Sequence, residues 1–107
     1  MSIRTALVLG MTLASVAAAA YAAEHVVAQK DKRFSVQKLR IKVGESITFR
    51  NDDPYFHNIF SLSSARSFDL GSFPKGESRS VTFDKAGTVE VECAIHPEMK
   101  MTVEVAK

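Results

Sequence analysis

From residue 38 onward, apolar and polar residues alternate with period two, and this constrains the fold more than any other feature of the chain. In KLRIKV (38–43), Leu39, Ile41 and Val43 alternate with Lys38, Arg40 and Lys42. A strand sends successive side chains to opposite faces, so such a segment buries one face and wets the other. Gly44 and Glu45 turn the chain into SITFRN (46–51), where Ile47 and Phe49 share a face, and Pro54 in Asp52-Asp53-Pro54 ends that strand because it lacks a backbone donor. HNIFSL (57–62) reads as a more apolar strand and SRSVTF (78–83) restores the alternation. TVEVEC (88–93) and MTVEVA (101–106) pair naturally, with Val89, Val91 and Cys93 on one face and Met101, Val103 and Val105 facing with them. HVVAQ (25–29) is a further candidate strand. Between 63 and 78 the pattern fades, with Gly71, Pro74 and Gly76 marking a long connection or a poorly formed edge. About seven short strands with regular turns predict an all-β fold, an antiparallel Greek-key sandwich or barrel.

The first 22 residues do not share this pattern. Arg4 precedes an apolar run from Ala6, and Ala20-Tyr21-Ala22 fits the small-x-small rule for cleavage. This is the three-part layout of a secretory signal, so residues 1–22 are expected to be removed and residues 23–107 to form one domain. An uncleaved anchor is the alternative, since the run is close to the shortest that spans a bilayer; its alanine richness favours removal. A lipid anchor at a cysteine following the signal is excluded, because the only cysteine is Cys93. The expected location is therefore the periplasm, with no membrane span left after cleavage.

Composition narrows the function. The chain has 14 Lys and Arg against 12 Asp and Glu, and losing Arg4 leaves 13 against 12, a formal charge of +1. This balance excludes the basic footprint of a nucleic-acid or polybasic membrane binder. So small a domain often needs a disulfide or a metal to supplement its core. One cysteine cannot form an internal disulfide, and an exposed thiol in an oxidising compartment oxidises or cross-links. Cys93 must be protected, either by simple burial or by a metal.

The neighbours of Cys93 decide between these. In CAIHPEM (93–99), Cys93, His96 and Met99 recur every three residues at the end of one strand and in the turn before the next, and Pro97 stiffens that turn. Thiolate, imidazole and thioether form a soft donor set that selects copper over magnesium or calcium. A second imidazole comes from His25 or His57. His25 lies beside the expected new terminus and is expected to be solvated, whereas His57 starts a strand after a loop at one end of the sandwich. The predicted metal ligands are His57, Cys93, His96 and Met99, two imidazoles, a thiolate and a weak axial thioether. Zinc is the nearer competitor, with Glu98 as an oxygen donor.

With NDDPYFHN (51–58) carrying the upstream histidine and CAIHPEM the Cys-x2-His-x2-Met loop, the chain resembles a small cupredoxin, a blue type 1 copper protein of the plastocyanin and amicyanin kind. The resemblance extends over nearly all of residues 23–107 and is weakest from 63 to 76. It implies that Asn58 ties the two ligand loops together by hydrogen bonds, and that His96 presents a ring edge near the surface to pass electrons. It also implies an apolar contact patch around Pro97 with Phe73 or Pro74. The chain departs from short-loop relatives at Glu98, where an apolar residue is common, and at Met101, which competes with Met99 for the axial role. By strand parity Met101 fits the core.

The implied function is a periplasmic one-electron carrier, a monomer holding one copper ion that cycles between Cu(I) and Cu(II) while docking transiently with redox proteins as donor and acceptor. The alternative is a copper-binding or delivery protein. The sequence contains no serine nucleophile arrangement, no paired carboxylates with a cleft and no phosphate-cradling loop, so an enzyme is not expected. A thiol enzyme using Cys93 with His96 as base leaves His57 and Met99 unexplained.

Overall fold

The computed structural model describes residues 23–107; the expected signal, 1–22, lies outside the described residues. The strands in order are β1 (Glu24–Lys30), β2 (Arg33–Phe34), β3 (Lys38–Lys42), β4 (Ser46–Asn51), β5 (His57–Ser61), β6 (Phe68–Phe73), β7 (Ser78–Thr82), β8 (Gly87–Cys93) and β9 (Lys100–Ala106). They form two sheets, of order β2-β1-β4-β7 and β3-β9-β8-β5-β6.

The alternation seen in the sequence is the alternation of burial. Ile47 and Phe49 of β4, Val89, Val91 and Cys93 of β8, and Met101, Val103 and Val105 of β9 all face one core, joined by Ile41, Ile59, Phe73, Val81 and Phe83 from the other elements. Edge-to-face packing of Phe34 on Phe49 and of Phe68 on Phe83 fills the space between the sheets. Burying Phe34, Phe49 or Phe83 contributes about 2 to 3 kcal/mol relative to exposing it, and half-buried Phe68 contributes less. The β8–β9 ladder runs in the expected register, with Val91 opposite Met101 and Val89 opposite Val103. Met101 is 2% exposed and belongs to this ladder, as parity requires. At the far end of β8, Gly87 has φ +146° and a Cβ there would lie 2.8 Å from the Cβ of Ala65, so only glycine lets the two segments approach.

Two features differ from the expectation. The faded stretch between 63 and 78 contains a strand, β6, at the edge of the larger sheet. Its pairing with β5 shifts register between Asn58 and Phe60, and Gly71 adopts φ +72°, which together blur its alternation. Not every ladder is antiparallel: β1 pairs parallel with β4, and β3 parallel with β9. The intervening chain supplies the crossover that parallel pairing needs, since between β1 and β4 it passes through β3 in the opposite sheet.

This architecture brings the ends of β4, β5 and β8 together. Ile59 pairs with Cys93, so β5 begins, at His57, beside the point where β8 ends. The candidate site lies there.

Candidate metal centre

Cys93 is the last residue of β8 and, by the strand's parity, faces inward at 2% exposure. The chain then leaves the sheet, and the loop to β9 is closed by its own backbone. The Met99 amide donates to the His96 carbonyl at 2.9 Å, and the Cys93 amide donates to the Met99 carbonyl at 3.4 Å. His96 is half-buried in this loop and Met99 is buried at its end. Across from them His57, the first residue of β5, is fully buried.

The Nδ1 atoms of His57 and of His96 each lie 3.7 Å from Cys93 Sγ, and the ligating atoms of the three residues are all within 4.8 Å of one another. Among the described residues, this is the one group of His, Cys and acidic side chains so placed. The spacing suits an ion. Bonds of about 2.0 Å to nitrogen and 2.3 Å to sulfur, meeting near 120°, need the donors about 3.7 Å apart. The two rings lie edge to face with centroids 5.0 Å apart, so both present nitrogen toward the sulfur without stacking. A buried thiol facing two imidazole nitrogens, with a buried thioether closing the loop, is a soft set that fits copper.

The sulfur and the loops are held from outside. The Asn58 backbone N–H points at Cys93 Sγ at 3.4 Å, and the Ala94 N–H donates to the Asn58 carbonyl at 2.9 Å. Asn58 thus joins the two loops through its backbone; its side-chain Oδ1 is buried without a hydrogen-bond partner. His57 Nε2 is 2.8 Å from Oδ2 of Asp53, which is 1% exposed. Burial pushes the Asp53 carboxyl up, but hydrogen bonds from the Lys32 N–H, His57 and the Asp31 N–H together bring it below the ordinary carboxylate range. Asp53 went unrecognised in the sequence because Asp-Asp-Pro reads as a strand breaker. The acid four residues ahead of the histidine was the available signal.

The surroundings refine three further expectations. His25 is half-buried, not solvated, and pairs with Glu45 at 3.0 Å, away from the cluster. Phe73 is fully buried and carries no surface patch; its carbonyl accepts a hydrogen bond from Asn51 Nδ2. Pro97 is exposed and Pro74 half-buried; the other exposed apolar groups beside the site are Tyr55, Phe56 and Ile95, and the Tyr55 ring packs against both His57 and His96. Glu98 is exposed and forms no part of the cluster.

The model of the family described as Cupredoxin-like domain matches residues 3–105. The chain belongs to this cupredoxin family. It is 30% identical to amicyanin of Paracoccus denitrificans over 76 residues, covering 68% of this chain and 58% of that protein. It is 32% identical to methylamine utilization protein MauL of Methylorubrum extorquens over 69 residues, 64% of this chain and 60% of that one. The matched region is thus about 60% of the length of these relatives. In structure, the chain superimposes on a copper(I) form of an amicyanin variant with a TM-score of 0.71 at 26% identity, covering 76% of this chain and 80% of the other. On a reduced form of a second amicyanin variant the TM-score is 0.69 at 28% identity, covering 75% and 79%. These likenesses establish the cupredoxin fold, with the cluster at one end of the sandwich.

Proposed function

We propose that residues 23–107 are a one-electron carrier domain in which His57, Cys93, His96 and Met99 hold a single copper ion. The observation that carries this reading is the convergence of two imidazole Nδ1 atoms on the Cys93 sulfur, each at 3.7 Å, in a cupredoxin fold. The similarity to amicyanin, whose copper(I) form is among the similar structures, supports copper over zinc. Bound there, copper would supply reversible one-electron exchange between Cu(I) and Cu(II).

The chain's own residues account for the rest. The two sheets and the closed loop fix the donors in one arrangement, so little rearrangement opposes electron gain or loss. The Asn58 N–H, directed at the sulfur, stabilises negative charge on it and so bears on the potential. His96 is the half-buried member of the set, beside exposed Tyr55 and Ile95, and is the outlet toward a docked redox protein. The small apolar surface suits a weak, transient encounter. Delivery of the ion is disfavoured by the burial of Cys93, His57 and Met99, which an acceptor would have to reach. We further propose that residues 1–22 are an export signal, that the carrier works in the periplasm, and that it acts as a monomer. No helix among the described residues is long and apolar enough to cross a membrane.

Voltammetry of the copper-loaded protein tests the reading. A reversible one-electron wave that persists over many cycles with copper retained is expected. Loss of copper on reduction, or transfer to an acceptor at a comparable rate, would replace it with delivery.

A further inference from the structure

Resting on the copper reading above for its consequence, we propose that Asp53, gripped by the tip of the β1–β2 hairpin, is the positioning residue for His57. A turn outside both ligand loops thereby fixes which ring nitrogen meets Cys93 and how firmly the ring is held.

The β1–β2 connection is a two-residue turn: Lys30 pairs with Arg33, and Asp31 and Lys32 between them have φ +54° and +58°. Left-handed values at both central residues are those of a type I′ hairpin. Here they also aim two successive backbone N–H groups at one place. The Asp31 N–H donates to Asp53 Oδ1 at 2.7 Å and the Lys32 N–H to Asp53 Oδ2 at 2.9 Å. Successive amides converging on an anion form a nest, and the anion here is an internal carboxylate.

The backbone that carries the carboxylate is held as well. The Asp53 amide donates to Asn51 Oδ1 at 2.8 Å, and Asn51 Nδ2 donates to the carbonyls of Tyr55 and Phe73. The remaining partner of Asp53 is His57. An ionised carboxylate only accepts, so Nε2 of His57 carries the proton and donates it. In the neutral ring Nδ1 is then the acceptor nitrogen, and it is Nδ1 that lies 3.7 Å from Cys93 Sγ. The tautomer that suits metal binding is thus set before any metal arrives.

The hairpin tip reaches the site by a second path. The Lys32 ammonium sits 5.3 Å from the centre of the Tyr55 ring, which is edge-on to His57 and tilted against His96. β1 is laddered to β4 up to Gln29, whose carbonyl accepts from the Asp52 N–H at 2.9 Å, and the grip on Asp53 extends that attachment to the two turn residues themselves.

The test begins on the metal-free protein, with nitrogen-resolved NMR of the His57 ring. The expected result is an Nε2–H tautomer whose proton exchanges slowly with water. Two variants loosen the arrangement: Asp53→Asn, and insertion of two glycines between Asp31 and Lys32, which leaves Asp53 and every ligand unchanged. Losing a charge-assisted hydrogen bond corresponds to about tenfold faster exchange of that proton. Both variants should also lose about tenfold or more in copper(II) affinity, the usual effect of removing the partner of a metal-binding histidine. Asp31→Gly keeps the turn and its amide, and should match the natural chain in both readouts. An Nδ1–H tautomer in the natural chain, or an insertion variant with unchanged exchange and affinity, would overturn the proposal. A chain that shows the slow proton and its acceleration on insertion but binds no copper would uphold the positioning role and overturn the copper reading.

Discussion

The two segments that carry the candidate ligands are held in different ways. In residues 51–57 the exposed Pro54, Tyr55 and Phe56 are backed by a buried network, in which Asn51, Asp53 and His57 are all 1% exposed or less and bonded to one another or to neighbouring backbone. Residues 93–99 form a short loop on the surface, anchored at its ends by buried Cys93 and Met99, with exposed Ala94, Ile95, Pro97 and Glu98 between them. The contrast separates two tasks. On the proposed copper reading, His57 is an anchor whose orientation the fold dictates, and His96 is a ligand from a loop that also faces the redox partner.

Removing the metal bears on both segments together and has the largest expected effect. An ion held only by the native state stabilises it by about 4 kcal/mol at a thousandfold excess over Kd. The copper-loaded protein should melt well above the metal-free form by calorimetry. Equal melting temperatures at saturating copper would mean that the two segments do not share an ion.

Substituting each histidine in the metal-free protein separates the segments. His57→Gly opens a cavity and strands a buried carboxylate, which should cost about 2 to 4 kcal/mol in denaturant unfolding. His96→Gly, at a half-buried loop position, should cost under about 1 kcal/mol. Similar losses for the two would erase the distinction between anchor and outlet.

The methionines sharpen the comparison within the second segment. Met101→Leu is a near volume-conserving change on the β8–β9 ladder, expected to cost under about 1.5 kcal/mol and to leave the absorption spectrum of the copper form unchanged. Met99→Leu should shift the spectrum and raise or lower the potential while copper stays bound. A larger spectral shift for Met101→Leu would reassign the axial ligand.

The smallest effect concerns carboxylates away from the site. The Lys42 N–H and then His25 hold the Glu45 carboxyl below its ordinary range, and Arg50 does the same for Asp52. Groups depressed in this way stabilise the fold above the ordinary carboxylate pKa, and that stability is lost as pH falls through the lower, folded values. Glu45→Gln should therefore slightly lower stability above roughly pH 5 and flatten the acid limb, so that the variant and the natural chain converge at low pH. An acid limb identical to that of the natural chain would show that Glu45 contributes nothing there.

Much of this was legible in the sequence because half-buried strands advertise themselves. Ile47 and Phe49, Val89 and Val91, and Val103 and Val105 alternate with polar partners, and each proved to face the core. β6 was obscured because Phe68 and Leu70 are only half-buried, Gly71 interrupts the strand, and its pairing is irregular. The parallel ladders β1–β4 and β3–β9 could not be read, since periodicity reports which face a residue takes and not which strand lies beside it. The cluster was legible where spacing constrains it, at Cys93 and His96, with Met99 buried at the end of the same loop. Asp53 was not, because its role depends on the backbone of a turn more than twenty residues upstream. Asn58 was expected to tie the loops, and its backbone does so while Oδ1 is left without a partner.

The most direct measurement is the visible absorption and electron paramagnetic resonance spectrum of the protein loaded with copper(II). Convergence of His57, Cys93, His96 and Met99 on one ion predicts an intense thiolate-to-copper band with narrow hyperfine splitting. A colourless protein, or the spectrum of ordinary copper(II), would contradict it.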